Sequence, residues 1–415
     1  MMKKLFNWTN ISGTFAVFLF MWMLGSIGVQ FDFLNVFEEV LSDYNLTDVY
    51  YTKIRNNEAI PFDERIVLVN IGDASRGRGS IADEISILNK YNPKVIAIDA
   101  KFFGLKEDDP MGDFKLATAI QEANNFIMAS EFAVTSDTST GWDTLYTPPP
   151  LFSQNAQTAF VNVGNLEFGD FTTWRTIPVK ETTKKGKKEP CFPVKIAEVY
   201  NEKAAQKFLA RGNEIENIYF KGNLDKFTKL DVDDVLKENF IPELIKDKIV
   251  IMGYMGDHYT DYYFDEDKFY TPLNEKQVGR GTPDMFGVVV HANVVSMILD
   301  ENYINEMPAY IGYIIAIILC YLNVALFAYI LDNKKLSPYY GLTKIIQLIE
   351  VLIILTISIF SFALFNYKVD LTLVFLVIIL AGDLTEIYID IILVSLSKIS
   401  FIRKLSLKPN SLNAS

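Results

Sequence analysis

Cysteine and histidine are almost missing from this sequence, with two of each in 415 residues. Two thiols cannot build a disulfide framework. Cys320 lies inside an apolar run and Cys191 does not, so the two are not expected to pair. His258 and His291 cannot supply the spaced histidine cluster of a zinc site, and there is neither a G-x-S-x-G elbow nor a Cys-His pattern. Basic charge is in deficit as well: 39 Lys and Arg against 51 Asp and Glu give a net −12, which disfavours nucleic acid and anionic lipid as ligands. No internal repeat of fixed period is present.

Charge is absent altogether from two long stretches, between Lys4 and Asp32 and between Glu306 and Asp332. A helix needs roughly 20 apolar residues to cross hydrocarbon, so both stretches predict membrane spans. Two further runs, 345–366 and 371–395, are apolar but interrupted by carboxylates. Lys3 and Lys4, then Lys334, Lys335 and Lys344, then Lys398, Arg403, Lys404 and Lys408 occupy the short segments that one orientation places in the cytoplasm.

The expected layout is a cytoplasmic N-terminus (1–11), a span (12–30), a head outside the cytoplasm (31–306), a span (308–331), a cytoplasmic loop (332–344), two spans (345–366 and 371–395) and a basic cytoplasmic tail (396–415). This is a multi-pass protein of the cytoplasmic (inner) membrane with both termini cytoplasmic. A cleaved signal peptide is the alternative for the first run, disfavoured because it lacks a clear A-x-A site.

Within the head, residues 32–55 have helical apolar spacing and suggest a stalk continuing the first span. The β-branched run 66–71, a helix near 81–90 and the strand 95–98 closed by Asp99 make a strand, helix, strand unit, which implies parallel pairing. A helix near 113–124 and a strand at 126–130 continue the alternation. Residues 135–150 read as a loop, and 182–189, with four lysines around Gly186, as a solvated hairpin tip. Helices at 193–200 and 232–238, strands at 218–220 and 248–253, and a helix beginning near Ala292 complete the head. The fold class is α/β: a mainly parallel sheet flanked by helices, plus four transmembrane helices, one N-terminal and three C-terminal.

Gly77-Arg78-Gly79-Ser80-Ile81-Ala82 fits the G-x-G-x-x-A dinucleotide pattern, with Asp99 near the expected acidic position. Four residues, 73–76, intervene after Gly72 where the phosphate-binding turn should leave the strand directly. These glycines are read as a turn, and no cofactor or metal is expected. Asp73, Asp99 and the 257–261 loop leave the carboxyl ends of predicted strands, where carboxylates could hold a cation or act as acid and base. A hydrolase-like activity is the alternative to a non-enzymatic head.

Several segments resemble the CHASE type 2 domain, an extracytoplasmic sensory module. They are Leu46, Asp48, Tyr51 and Arg55; residues 63–71; the strand ending at Asp99; Trp174-Arg175-Thr176-Ile177-Pro178; residues 248–253; Asp261; Thr271-Pro272; and residues 286–293 with His291-Ala292-Asn293. The resemblance covers roughly residues 40–305. It implies a sensory head, one span before it and three after it, and then a cytoplasmic output domain; the segment 396–415 is too short to fold one. The expected function is a membrane-anchored sensor that signals through its spans to a separate protein partner, with homo-oligomerisation open. A membrane scaffold or assembly subunit is the first alternative, and a proton- or ion-coupled component the second.

Asp73, from its place at the carboxyl end of a strand, and Asp99, Asp261, Thr271, His291 and Asn293, which also fall in the resembling segments, are candidates for a sensory pocket. The competing expectation is bracing: the two aspartates 99 and 261 accepting loop N–H groups, and His291 and Asn293 lying at a helix N-terminus. In the last span Asp383, Glu386 and Asp390 share one helical face, and Glu350 lies in the third span. They are expected to form a polar seam with Asn323, Gln347, Thr385 and Tyr388, to dock a partner, or to line an ion path.

Overall fold

The computed structural model describes residues 8–28, 45–134, 141–162, 173–258, 267–275, 282–333, 341–393 and 395. The chain divides into two compact units, residues 43–304 and residues 1–42 with 305–415. Helix α1 (Trp8–Gly28) belongs to the second of these. Asp261, the 334–340 segment, residues 32–44 of the expected stalk and the 396–415 tail lie outside the described residues.

The 43–304 unit is built on β1 (Asp63–Asn70), β2 (Val95–Asp99), β3 (Phe126–Ala133), β4 (Thr144–Tyr146), β5 (Gln157–Phe160), β6 (Phe227–Leu230) and β7 (Ile249–Gly253). The order is β6-β1-β7-β2-β3, with β5 and β4 both pairing with β3. All pairs are parallel except β3 with β4. Central parallel strands are covered on both faces and therefore read as continuous apolar runs, as Ile66–Val69, 95–98 and 249–252 do, all without exposure.

Successive side chains point to opposite faces. Val67, Val69, Ile96, Ile98, Val250 and Met252 join Ile85, Leu88, Leu116 and Ile120 of α2 (Gly77–Lys90) and α3 (Pro110–Glu122) in one core. Burial of each such side chain contributes about 1.5–3 kcal/mol. The other face is covered by α4 (Phe192–Tyr200) and α7 (Gly287–Asp300), with α5 (Glu202–Leu209) packed beyond them and α6 (Val232–Leu236) packing against α2.

Three expectations are corrected. Residues 218–220 are not a strand: Ile218 N donates to Arg175 O, Phe220 N donates to the Tyr51 hydroxyl, and Arg55 donates to Phe220 O, so this backbone is spent on loops. The last helix starts at Gly287 rather than Ala292. Its Val288-Val289-Val290 run favours strand, but every residue from Gly287 to Ile298 is buried and packing overrides propensity. His291 and Asn293 are thus within the helix, not at its cap. The lysine-rich 182–189 segment is, as expected, a hairpin tip, between strands 180–182 and 188–190, with Gly186 at φ +85°.

In the other unit, α8 (Ala309–Asp332), α9 (Leu342–Phe365) and the helical segment 372–393, which opens with α10 (Thr372–Ile387), are long and apolar enough to cross a membrane. Val17 of α1 packs with Ala316, Cys320 and Val324 of α8 and Val374 and Val377 of α10. The turn before α10 pairs residues 305–306 with 367–368.

Candidate functional site

The strand register places three carboxyl ends side by side, since Asn70 pairs with Gly253 and Gly253 with Asp99. β1 continues into α2 on one face of the sheet, while β7 leads to α7 on the other. Adjacent strands whose connections diverge to opposite faces leave a crevice between their loops, the usual ligand position of an open α/β sheet. A cleft of about 590 Å³ lies there, within the range typical of small-molecule sites.

Its wall is formed by Ile71, Gly72 and Asp73 after β1, and by Gly77, Arg78 and Ile81 of α2. Ala100, Lys101, Phe102 and Lys106 come from the loop after β2, and Tyr254 and Asp257 from the loop after β7. Gly72 has φ +65°, and a Cβ there would stand 2.9 Å from the Arg76 side chain and 3.0 Å from Val232. Only glycine fits that turn. Residues 74–76 form a 3₁₀ turn, so α2 does not leave the strand as a dinucleotide-binding helix does.

One side chain fixes these loops. Asn70, fully buried, donates to Asp231 Oδ1 and to Gly256 O, each at 3.0 Å, and its Oδ1 accepts from Gly72 N (3.1 Å) and Met255 N (2.9 Å). It therefore ties the ends of β1, β6 and β7 together. Arg78 is 8 % exposed, ion-paired with Asp113 and stacked near the rings of Phe102 and Phe152, at 5.4 and 5.6 Å. Asp113 also accepts from Lys106 N at 2.7 Å. Lys101 pairs with Glu131.

Of the residues expected from sequence to form a pocket, Asp73 lines the cleft, with Oδ1 accepting from Ser75 N at 2.6 Å. Asp99 ends β2, but Ala100 and Lys101 rather than Asp99 face the cleft. Burial raises its carboxyl to about 7, against the pull of Lys101. His291 Nε2 lies 3.5 Å from Asp99 Oδ2. The imidazole sits edge-on to Trp174 and Phe192, and burial lowers it to about 3, so it is neutral at pH 7.

Thr271 N donates to Asp284 at 2.8 Å, away from the cleft. Asn293 Oδ1 accepts from Lys221 N (2.7 Å) and Gly222 N (3.2 Å), and its amide donates to Gly222 O and Val289 O, each at 2.9 Å. Thr271 and Asn293 are braces. So is Asp48, buried and ion-paired with Arg175 at 2.6 Å. Sequence reasoning missed Lys101, Lys106 and Tyr254 as cleft residues, and it placed Arg78 only within the glycine pattern; isolated residues on separate loops carry no spacing signal.

Among the span residues, Asn323 donates to Glu350 at 2.9 Å, Gln347 donates to Ile378 O and Ile379 O, and Ser12 bonds the Tyr388 hydroxyl at 2.6 Å. Asp383, Glu386 and Asp390 do not enter this seam. All three are on the exposed face of their unit, and Asp383 pairs with Lys344, the third residue of α9. The cation near a helix start draws Asp383 outward, and the periodicity places the other two on the same outer side.

An α/β unit with a loop-lined crevice, in a chain that also carries three helices long and apolar enough to cross a membrane, defines the class as a membrane protein with an α/β domain. The family model of the CHASE2 domain matches residues 14–327, most of the chain, and the protein belongs to that family of extracytoplasmic sensory domains. No curated protein and no solved structure matches the chain.

Proposed function

We propose that this protein is an inner-membrane sensor whose head lies outside the cytoplasm, takes its stimulus in the cleft between the β1 and β7 loops, and signals through its spans to a separate partner protein. The observation that carries this reading is the position of the cleft at the divergence of the β1 and β7 connections. Asn70 supports it mechanically, because any ligand that shifts the loop after β7 acts on β1 and β6 through the same amide. The orientation rests on the basic short segments, and a fourth span on α1, a charge-free helix of 21 residues. The head is taken as a binding module rather than an enzyme.

The test fills the cleft and reads the cytoplasmic side. Ile81→Trp puts an indole into the crevice from a half-buried wall position. Cross-linking of the full chain in native membranes, followed by mass spectrometry, should recover a cytoplasmic signalling enzyme whose yield differs between wild type and Ile81→Trp. Recovery of structural envelope proteins alone, in equal amounts from both, would refute the sensor and favour a scaffold.

A further inference from the structure

The protein is acidic overall, yet its cleft inverts that balance: Arg78, Lys101 and Lys106 line it against Asp73 and Asp257. The carboxylates that neutralise two of these cations are not in the lining. Asp113 holds Arg78, and Glu131 holds Lys101. Cations braced by acids placed outside the crevice are preorganised to face it.

Arg78 is the most informative of the three. It is 8 % exposed, and its ion pair with Asp113 uses Nη1 alone. Among the described residues, Nε and Nη2 have no acceptor, although the residue lines the cleft. A guanidinium carries five donors in a planar fork suited to an oxyanion, so Nε and Nη2 keep donors for one. Lys106 Nζ likewise has no ion-pair partner among the described residues, while its backbone N–H is fixed on Asp113. The first turn of α2 borders the same space and adds the partial positive charge of a helix start.

We infer that the cleft binds a small molecule through an oxyanion group, a phosphate or a carboxylate, held by Arg78, Lys101 and Lys106, with Phe102 and Ile81 against its apolar part. This rests on the sensory-pocket reading above and adds the ligand class to it. The volume, about 590 Å³, accommodates a metabolite-sized ligand and not a folded partner.

Calorimetric titration of the full chain in lipid nanodiscs tests it, with inorganic phosphate in one arm and succinate in the other. Saturable binding in either arm is expected, and the stronger arm identifies the group as phosphoryl or carboxylate. Lys106→Gln and Lys101→Gln should each weaken binding about tenfold, the scale of a lost charge-assisted bond. Lys185→Gln, at the exposed hairpin tip, should leave it unchanged. Both lysine changes avoid the buried Arg78–Asp113 pair, so the variants keep their fold.

Absence of saturable binding in both arms, or equal affinity in wild type and Lys106→Gln, overturns the assignment. If the anions fail to bind while Ile81→Trp still alters partner recovery, the oxyanion class falls and the sensory pocket stands.

Discussion

Replacing Glu84 by glutamine should flatten the pH dependence of stability in the 43–304 unit. Glu84 lies on α2, is fully buried, and neither carboxyl oxygen has a hydrogen-bond partner among the described residues. Burial raises its carboxyl from 4.5 to about 8, with Arg76 opposing and Asp83 reinforcing the rise. Across that interval the folded state keeps a proton that the unfolded chain releases. The folded state therefore binds more protons, and stability falls as pH rises, by about 1.4 kcal/mol per pH unit.

Between about pH 5 and pH 8 the loss is on the order of 4 kcal/mol, a large part of the 5–15 kcal/mol typical of a domain. Pulse proteolysis of the full chain in urea, repeated across this range, measures it. Asp99 and Asp284, raised by burial to about 7 and about 6, slope the same way, so the difference between wild type and Glu84→Gln isolates Glu84. Glutamine keeps the shape and cannot titrate. Identical slopes in the two proteins would refute the claim that Glu84 is held protonated by its surroundings.

Asn293→Ala removes four backbone bonds inside α7 and its neighbouring loop, and should cost about 3 kcal/mol, read as a lower urea midpoint at every pH. A cysteine at Lys185 should react with a membrane-impermeant thiol reagent added outside the cytoplasm, and one at Asp332 should not; the buried Cys191 and Cys320 give a low background. The opposite labelling would invert the proposed orientation.

Much of the sheet was legible because its central strands are apolar on both faces: 66–71, 95–98 and 249–252 could hardly be anything but buried strands. The short edge strand Phe227–Leu230 was not, since Phe-Thr-Lys-Leu is too brief to show a period. Tertiary burial hid the start of α7, whose valines favour extended structure in isolation. For the site, Asp73 could be placed from its position after a strand. Lys101 and Lys106 could not: β7 is inserted between β1 and β2, and Lys106 meets Arg78 through Asp113 of α3, arrangements that no local pattern encodes. The same gap explains Asn293 and Thr271. Their residue types suggested a pocket, while Thr271 bonds the Asp284 carboxylate and Asn293 bonds the backbone of the distant 221–222 loop.

That insertion also governs how the molecule is made. β7, residues 249–253, fills the space between β1 at 63–70 and β2 at 95–99, so the two earliest strands emerge without the neighbour that joins them. Until the later part of the chain has been synthesised, Ile66–Val69 and Val95–Ile98 are open apolar edges, the kind that self-associate. Non-local pairing of this sort slows folding. The nascent protein therefore passes through a stage in which it depends on being shielded, by a chaperone or by its attachment to the bilayer. Truncation anywhere before Ile249 should yield an aggregate rather than a smaller sensor.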